Sequence, residues 1–237
     1  MLRAAEVKQN EQPVSLAAKS LTTQAVEQLR GDILLGRLQP NERLRIQALS
    51  ERYNIGTTAI REALSRLVTD GLVELEDQRG FCVTPVSRDE LLDLTRTRVE
   101  IESLALAAAI ERGSLDWESS LVSAFHRLSK TPPPTSPELH ADWAAVHRQF
   151  HEALIGGNGS PSLLRICHLL YDKSERYRNL AEIRTQPAER DTVTEHRELM
   201  EAAMNRDGAT AKRLLAEHFW KTTNIILAKD STDVRRL

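Results

Sequence analysis

Beyond Pro85 the chain keeps one hydrophobic period, and it is that of an α-helix. Between Asp89 and Ile110, the residues Leu91, Leu94, Val99, Ile101, Leu104 and Ala108 form an apolar stripe at helical spacing. Further helices are predicted at about 115–128, 138–155, 161–178, 188–206 and 208–228. The breaks between them are of the expected kind. Thr131–Pro137 holds four prolines, which remove backbone donors and clash with the preceding turn. Gly156-Gly157-Asn158-Gly159, the segment around Pro187 and Asp207-Gly208 supply the others. Stripes of this kind are buried helix on helix, so this part of the chain has to form a bundle. With aromatics at only 4% of the residues, its core is expected to be Leu, Ala and Ile.

The first third reads differently. Residues 1–20 mix polar and small residues without a sustained period and are expected to form a mobile arm. Val26, Leu29, Ile33 and Leu34 then mark a helix that Gly36 stops. Leu38–Leu44, with Pro40 and Asn41, reads as a turn. A short helix over about Ile46–Arg52, a tight Tyr53-Asn54-Ile55-Gly56 connection and a helix from Thr57 follow. Ile60, Ala63, Leu64 and Leu67 share one face of that last helix, and Gly71 ends it. Two short β-type runs, Leu72–Leu75 and Phe81–Thr84, are joined by Glu76–Gly80. The expected fold is therefore mainly α. An N-terminal winged helix-turn-helix of α+β type at 21–86 precedes an all-α helical-bundle domain at 88–230.

Helix, tight turn, helix and hairpin make a plan suited to duplex DNA. A helix fits the major groove, and a hairpin tip reaches the neighbouring backbone or minor groove. The helix from Thr57 would be the reader. Thr57 and Thr58 at its start can donate to phosphates, and Arg61 and Arg66 follow along it. Arg79 and Gly80 sit at the hairpin tip, and Arg45 precedes the short helix. From Arg45 to Arg66 four arginines face two glutamates, an excess of +2. Solvation of an ordinary three-helix module is the competing explanation of that small excess.

The whole chain adds no basic signal, because 32 Lys and Arg stand against 34 Asp and Glu for a net charge of −2. No apolar run approaches the roughly 20 residues that span a bilayer, and the first residues lack the apolar centre of a secretory signal. Cys82 and Cys167 are far apart and support neither a disulfide framework nor a thiolate metal cage. A cytoplasmic protein with no membrane partner is expected.

Four of the seven histidines have a suggestive spacing. His147 and His151 lie one turn apart on one predicted helix, His196 lies on the next-to-last and His218 on the last. Antiparallel packing can bring them into one bundle interior, where imidazoles suit a divalent ion such as Zn2+ or Ni2+. Helix-surface histidines with a chance period are the competing expectation. A metalloprotease motif fails at Arg148, which stands where that motif needs its glutamate.

These runs also carry a resemblance. Leu44–Ser50, Thr58-Ala59-Ile60-Arg61-Glu62-Ala63-Leu64-Ser65-Arg66-Leu67, Asp70-Gly71-Leu72-Val73 and Arg79-Gly80-Phe81 resemble the DNA-binding domain of the GntR family. The resemblance implies that Arg61 and the start of its helix contact operator DNA. Thr57 replaces a usual arginine and Ala59 a common proline. Phe150-His151, Gly156-Gly157-Asn158, Glu195-His196, Asp207 with Ala211, and His218 are similar to the FCD effector domain of that family's FadR branch, over roughly Asp89–Leu227. That domain typically binds a divalent metal through an aspartate and three histidines. His151, His196 and His218 match, and His147 stands in the aspartate's place. Arg98 matches an arginine expected to hold or orient an anionic effector, with an ion pair to a neighbouring glutamate as the alternative. Asp142-Trp143, His147–His151 and Glu175–Arg178 resemble regulators of glutarate and 4-aminobutyrate breakdown genes. Arg176 and Arg178 are accordingly expected either to face a dicarboxylate or to be solvated.

The expected function is a homodimeric, metabolite-responsive transcription factor acting as a repressor on double-stranded operator DNA, a short palindrome. Its effector would be a small carboxylate: glutarate or a related dicarboxylate, with an aromatic or hydroxy acid as the alternative. Two other classes fit parts of the pattern. One is a metal-dependent hydrolase with a docking module, for which no acidic base is placed by spacing. The other is a helical adaptor that binds protein.

Overall fold

The computed structural model describes residues 20–131, 137–181 and 190–230. The expected arm, save Ser20, and most of the proline-rich stretch and of the segment around Pro187 lie outside these residues. Described in chain order are α1 (Leu21–Leu34), α2 (Ile46–Tyr53), α3 (Thr57–Thr69), β1 (Val73–Glu76), β2 (Gly80–Val83), α4 (Arg88–Arg112), α5 (Leu115–Lys130), α6 (Pro137–Ile155), α7 (Pro161–Leu180), α8 (Thr192–Met204) and α9 (Gly208–Asp230). A 3-10 turn at Gly156–Asn158 links α6 to α7. The architecture is a winged helix-turn-helix followed by an all-helical domain.

In the first unit, Ser20 caps α1 by accepting from the Thr23 amide at 3.1 Å. Asn54, in the left-handed region at φ 53°, ends α2 and turns the chain into α3. Ile60, Ala63, Leu64 and Leu67 of α3 are wholly buried, packed into one cluster with Ala25, Leu29 and Ile33 of α1. The hairpin is antiparallel, with Val73 opposite Val83 and Glu76 opposite Gly80. Both strands begin within one residue of the expected positions. Arg43 adds an isolated bridge to Cys82, and the Leu44 amide donates to Phe81 O at 2.8 Å, so the turn before α2 backs the wing.

The second unit is built around α4, whose 25 residues make a rod about 37 Å long. Ser87 caps it, accepting from the Glu90 amide at 3.1 Å. Ala105, Leu106 and Ala109 of α4 meet Leu121, Phe150, Leu154, Leu199, Ala203 and Leu215 from α5, α6, α8 and α9. Small residues on α4 let the other helices approach closely. At its end a Cβ on Gly113 would overlap the Trp117 ring, whose Nε1 donates to Ala153 O at 2.9 Å. Helix α8 starts at Thr192, later than the expected 188, because Asp191 caps it by accepting from the Thr194 amide at 2.9 Å. Among the described residues, no helix is long and apolar enough to cross a membrane.

Helix α7 joins the two units. The Asn179 side-chain amide donates to Leu34 O at 2.7 Å, and Arg176 donates to Thr84 O. The Tyr177 hydroxyl donates to Glu90 Oε2 at 2.6 Å and accepts from the Ser87 amide at 3.2 Å.

Candidate metal centre and nucleic-acid interface

Helix α6 presents His147 and His151 one turn apart, α8 presents His196 and α9 presents His218, all four buried. One ring nitrogen from each lies within 4.8 Å of the others. Helix-surface histidines are thereby ruled out. Neighbouring groups decide which nitrogen faces the centre. His196 Nδ1 donates to Thr192 O at 2.6 Å, since a carbonyl only accepts, which leaves Nε2 buried and without a partner. His218 Nδ1 lies 2.8 Å from Glu195 Oε2, and His147 Nδ1 lies 3.0 Å from the Tyr171 hydroxyl. His147 and His151 bring their Nε2 atoms to 3.2 Å, while His151 Nδ1 is buried and unpartnered. Phe150, wholly buried, packs edge-on to His196 at 4.9 Å and so holds α6 against α8.

Burial lowers the pKa of all four imidazoles, and His218 falls to about 4 even with Glu195 beside it. Mutual repulsion and nearby arginines push His147 and His151 the same way. At neutral pH the four rings are therefore uncharged, each with a lone pair to give. Burial opposes the Glu195 carboxylate, yet hydrogen bonds from His218 and Arg190 outweigh it and hold this group well below the usual carboxylate range. The result is a carboxylate–imidazole pair that orients His218, the outer support typical of metal-ligating histidines. Unpartnered buried nitrogens are costly unless something satisfies them. The donor set fits a borderline divalent ion such as Zn2+ or Ni2+. Burial pushes the Cys167 thiol up to about 12, so it offers no thiolate.

Beside the histidines, Arg98 does two things at once. Its Nε donates to Glu102 at 2.7 Å and its Nη1 to Ser174 Oγ at 2.7 Å, while its Nη2 is buried without a partner. Its guanidinium also sits 3.9 Å from the centre of the Phe219 ring. Arg178 pairs with Glu175, lies 5.0 Å from the Tyr171 ring centre and contributes to lowering the histidine pKa values. Arg176 is elsewhere. Residues two apart on a helix point roughly 200° apart, so Arg176 and Arg178 cannot share a cavity. Arg176 is buried at the junction with the first unit, and neither of the two arginines is solvated.

On the first unit, Thr57, Thr58, Arg61 and Arg66 of α3 are exposed, as are Arg45 at the start of α2 and Arg79 and Gly80 at the wing. Arg61 and Arg66 make no ion pair among the described residues, whereas Arg79 lies 3.4 Å from Glu76. The buried apolar face of α3 leaves its opposite face to solvent with a free N-terminus, as a groove-reading helix requires. Arg52, counted in the +2 excess, is held by Asp32 at 2.7 Å, where Tyr53 also donates. Tyr171, Ser174, Thr192 and Arg190 escaped the sequence reading, and Glu195 entered it only as part of the Glu195-His196 match. The spacing of Tyr171, Ser174 and Arg178 on one helix face was a usable signal, and so was the acid next to His196. Arg190 carried none.

Comparison with known proteins decides the family. Residues 21–83 match the bacterial regulatory proteins of the gntR family, and residues 93–220 match the FCD domain. The chain belongs to the GntR family. It is 38% identical to the uncharacterized HTH-type transcriptional regulator BphR of Paraburkholderia xenovorans, over 90% of this chain and 89% of that one. Identity to the HTH-type transcriptional repressor GlaR of Escherichia coli is 36%, covering 84% and 92%. Among solved structures, Escherichia coli McbR/YncC superposes with a TM-score of 0.74 at 25% identity, covering 90% of this chain and 99% of that one. As a GntR regulator the chain has a DNA-binding domain and an FCD effector domain, and it is not an enzyme, which disposes of the hydrolase and adaptor readings.

Proposed function

We propose that this GntR regulator is a repressor that acts as a homodimer on a short palindromic operator in the cytoplasm. Its DNA-binding unit spans 21–86 and its effector unit 88–230, where it binds a divalent metal and a small carboxylate. The observation that carries this reading is the cluster of four buried, neutral imidazoles, with Arg98, whose Nη2 is buried and unpartnered, close enough to act on His151. His147, His151, His196 and His218 would hold the ion, Zn2+ or Ni2+. When bound, the metal supplies positive charge and coordination positions for an anion. Arg98 Nη2 would take one carboxylate oxygen, and Arg178 a second carboxylate, which favours glutarate or a related dicarboxylate. The Tyr171 and Phe219 rings beside Arg98 support an aromatic acid as a second reading.

Repression is inferred from the 36% identity to the transcriptional repressor GlaR of Escherichia coli. In the first unit, Thr57, Thr58, Arg61 and Arg66 would contact the major groove, Arg45 the adjoining backbone, and Arg79 and Gly80 the neighbouring strand. A two-fold dimer presents two such helices, so its site repeats as a palindrome. A self-complementary face supports the dimer. Helix α5 exposes Leu115 and Val122, with Asp116 near one end and Arg127 and Lys130 at the other. An antiparallel second copy would set acids against bases.

Elemental analysis of the purified protein tests the carrying observation. Wild type is expected to hold one divalent ion per chain and His196→Ala to have lost it. Retention of a full equivalent by the variant would show that His196 is not a ligand. A thermal-shift screen of dicarboxylates and aromatic acids on metal-loaded protein separates the two effector readings, because ligands of the native state raise its melting temperature.

A further inference from the structure

A chain of alternating charges runs from the metal-site helix to the end of the reading helix. Arg148, the residue after His147, pairs with Asp172 Oδ1. The other oxygen of Asp172 pairs with Arg30 of α1. Arg30 in turn pairs with Asp70, the residue that ends α3. Asp172 is only 8% exposed at its side chain and Arg30 and Asp70 are largely covered, so water screens these contacts weakly.

Inside the bundle runs a parallel connection. His147 meets the Tyr171 hydroxyl at 3.0 Å, and Arg148 lies 4.5 Å from the Tyr171 ring centre. Consecutive residues of α6 therefore grip consecutive residues of α7, one pair facing the histidines and the other facing the DNA-binding unit. Any change in where His147 and Tyr171 rest is passed to Arg148 and Asp172 through adjoining backbone.

We infer that the Arg148–Asp172–Arg30–Asp70 chain couples occupancy of the histidine site to the C-terminal end of the reading helix. This rests on the metal-binding reading given above. Each arginine of the chain is shared between two acids, which is what would let the chain act as a switch. Arg148 has a second acid within reach, Glu152 at 3.7 Å, and Arg30 divides itself between Asp172 and Asp70. When Arg148 turns to Glu152, Asp172 is left with Arg30 alone and draws it away from Asp70. Asp70 stands at the C-terminus of α3, where the helix dipole already disfavours negative charge. Loss of its cation loosens the last turn of α3. That turn also meets α7 directly, because a side chain on Gly71, at φ +71°, would stand 3.0 Å from Lys173 Nζ. Coupling of this kind requires an element with two arrangements that both sites bias, and the shared arginines, each held by two acids here, would supply the second by releasing one of them.

The test is hydrogen exchange by mass spectrometry on the full-length protein, with Zn2+ alone as the probe. Wild type is expected to change the exchange rate of residues 66–71 by about fivefold or more on Zn2+ addition. Arg148→Gln and Arg30→Gln break the chain at opposite ends without touching a histidine. Both should bind Zn2+ as wild type does, by calorimetry, yet show no response at 66–71. A response in both variants equal to that of wild type would overturn the proposal, as would Zn2+ bound to wild type with unchanged exchange there. Failure of wild type to bind Zn2+ would instead overturn the metal reading, and the coupling with it.

Discussion

At the scale of single residues, the protein keeps four imidazoles neutral in a place where charge is expensive. That has a consequence for pH. His218 titrates at about 4 in the folded chain, against an ordinary value of 6.5. Between those values the unfolded chain binds the proton and the folded chain does not, so stability rises with pH across this window. The contribution is fully present above about 6.5 and is lost as pH falls toward 4, on the order of 3 kcal/mol for His218 alone. His147, His151 and His196 are shifted in the same direction. Glu195 acts in a lower window, because its depressed pKa protects stability above 4.5 and fails only below it. Metal-free protein should therefore show a falling melting temperature from pH 7 to pH 5, where carboxylates are still ionised. A melting temperature flat over that range would show that the imidazoles are not buried as described.

At the scale of elements, most of the fold was legible because period and punctuation agreed. Ile60, Ala63, Leu64 and Leu67 announced the buried face of α3, and the same pattern implied its exposed face. The proline run and the glycine clusters marked helix ends through backbone geometry, which is local and readable. Side-chain partners across elements were not readable. Arg52 looked like a free cation and proved to be held by Asp32, twenty residues earlier in the chain. Arg176 and Arg178 looked like a pair, although helical geometry alone should have separated them. Asp172 gave no local sign, because both of its partners are distant in sequence. The histidines lay between these cases, since spacing and antiparallel helix packing suggested a shared interior, with surface histidines as the alternative, and the FCD resemblance favoured the shared site. The exposed face of α3 carries its own prediction. Arg61→Ala should abolish footprinting at the operator while leaving the helical content and thermal unfolding as in wild type, because Arg61 is exposed and has no ion pair among the described residues. A footprint like that of wild type would remove Arg61 from the reading surface.

At the scale of the whole molecule, α7 is the member that both halves share. One of its faces meets the histidine cluster through Tyr171 and Arg178 and holds Arg98 through Ser174, and the other holds the DNA-binding unit through Asp172, Arg176 and Asn179. A ligand acts on DNA affinity only through the difference in its own affinity for the two arrangements of such a device. An anion bound at the histidine site is therefore expected to change operator binding. This expectation is tested most directly by fluorescence anisotropy, using a duplex that the wild-type protein selects from a random library. Zn2+-loaded wild type and His196→Ala are each titrated onto this duplex, without addition and with succinate, glutarate or adipate. At least one dicarboxylate is expected to shift wild-type affinity by about 5- to 150-fold and to leave His196→Ala unmoved. Wild-type affinity indifferent to all three acids, or an equal shift in the variant, would contradict that expectation.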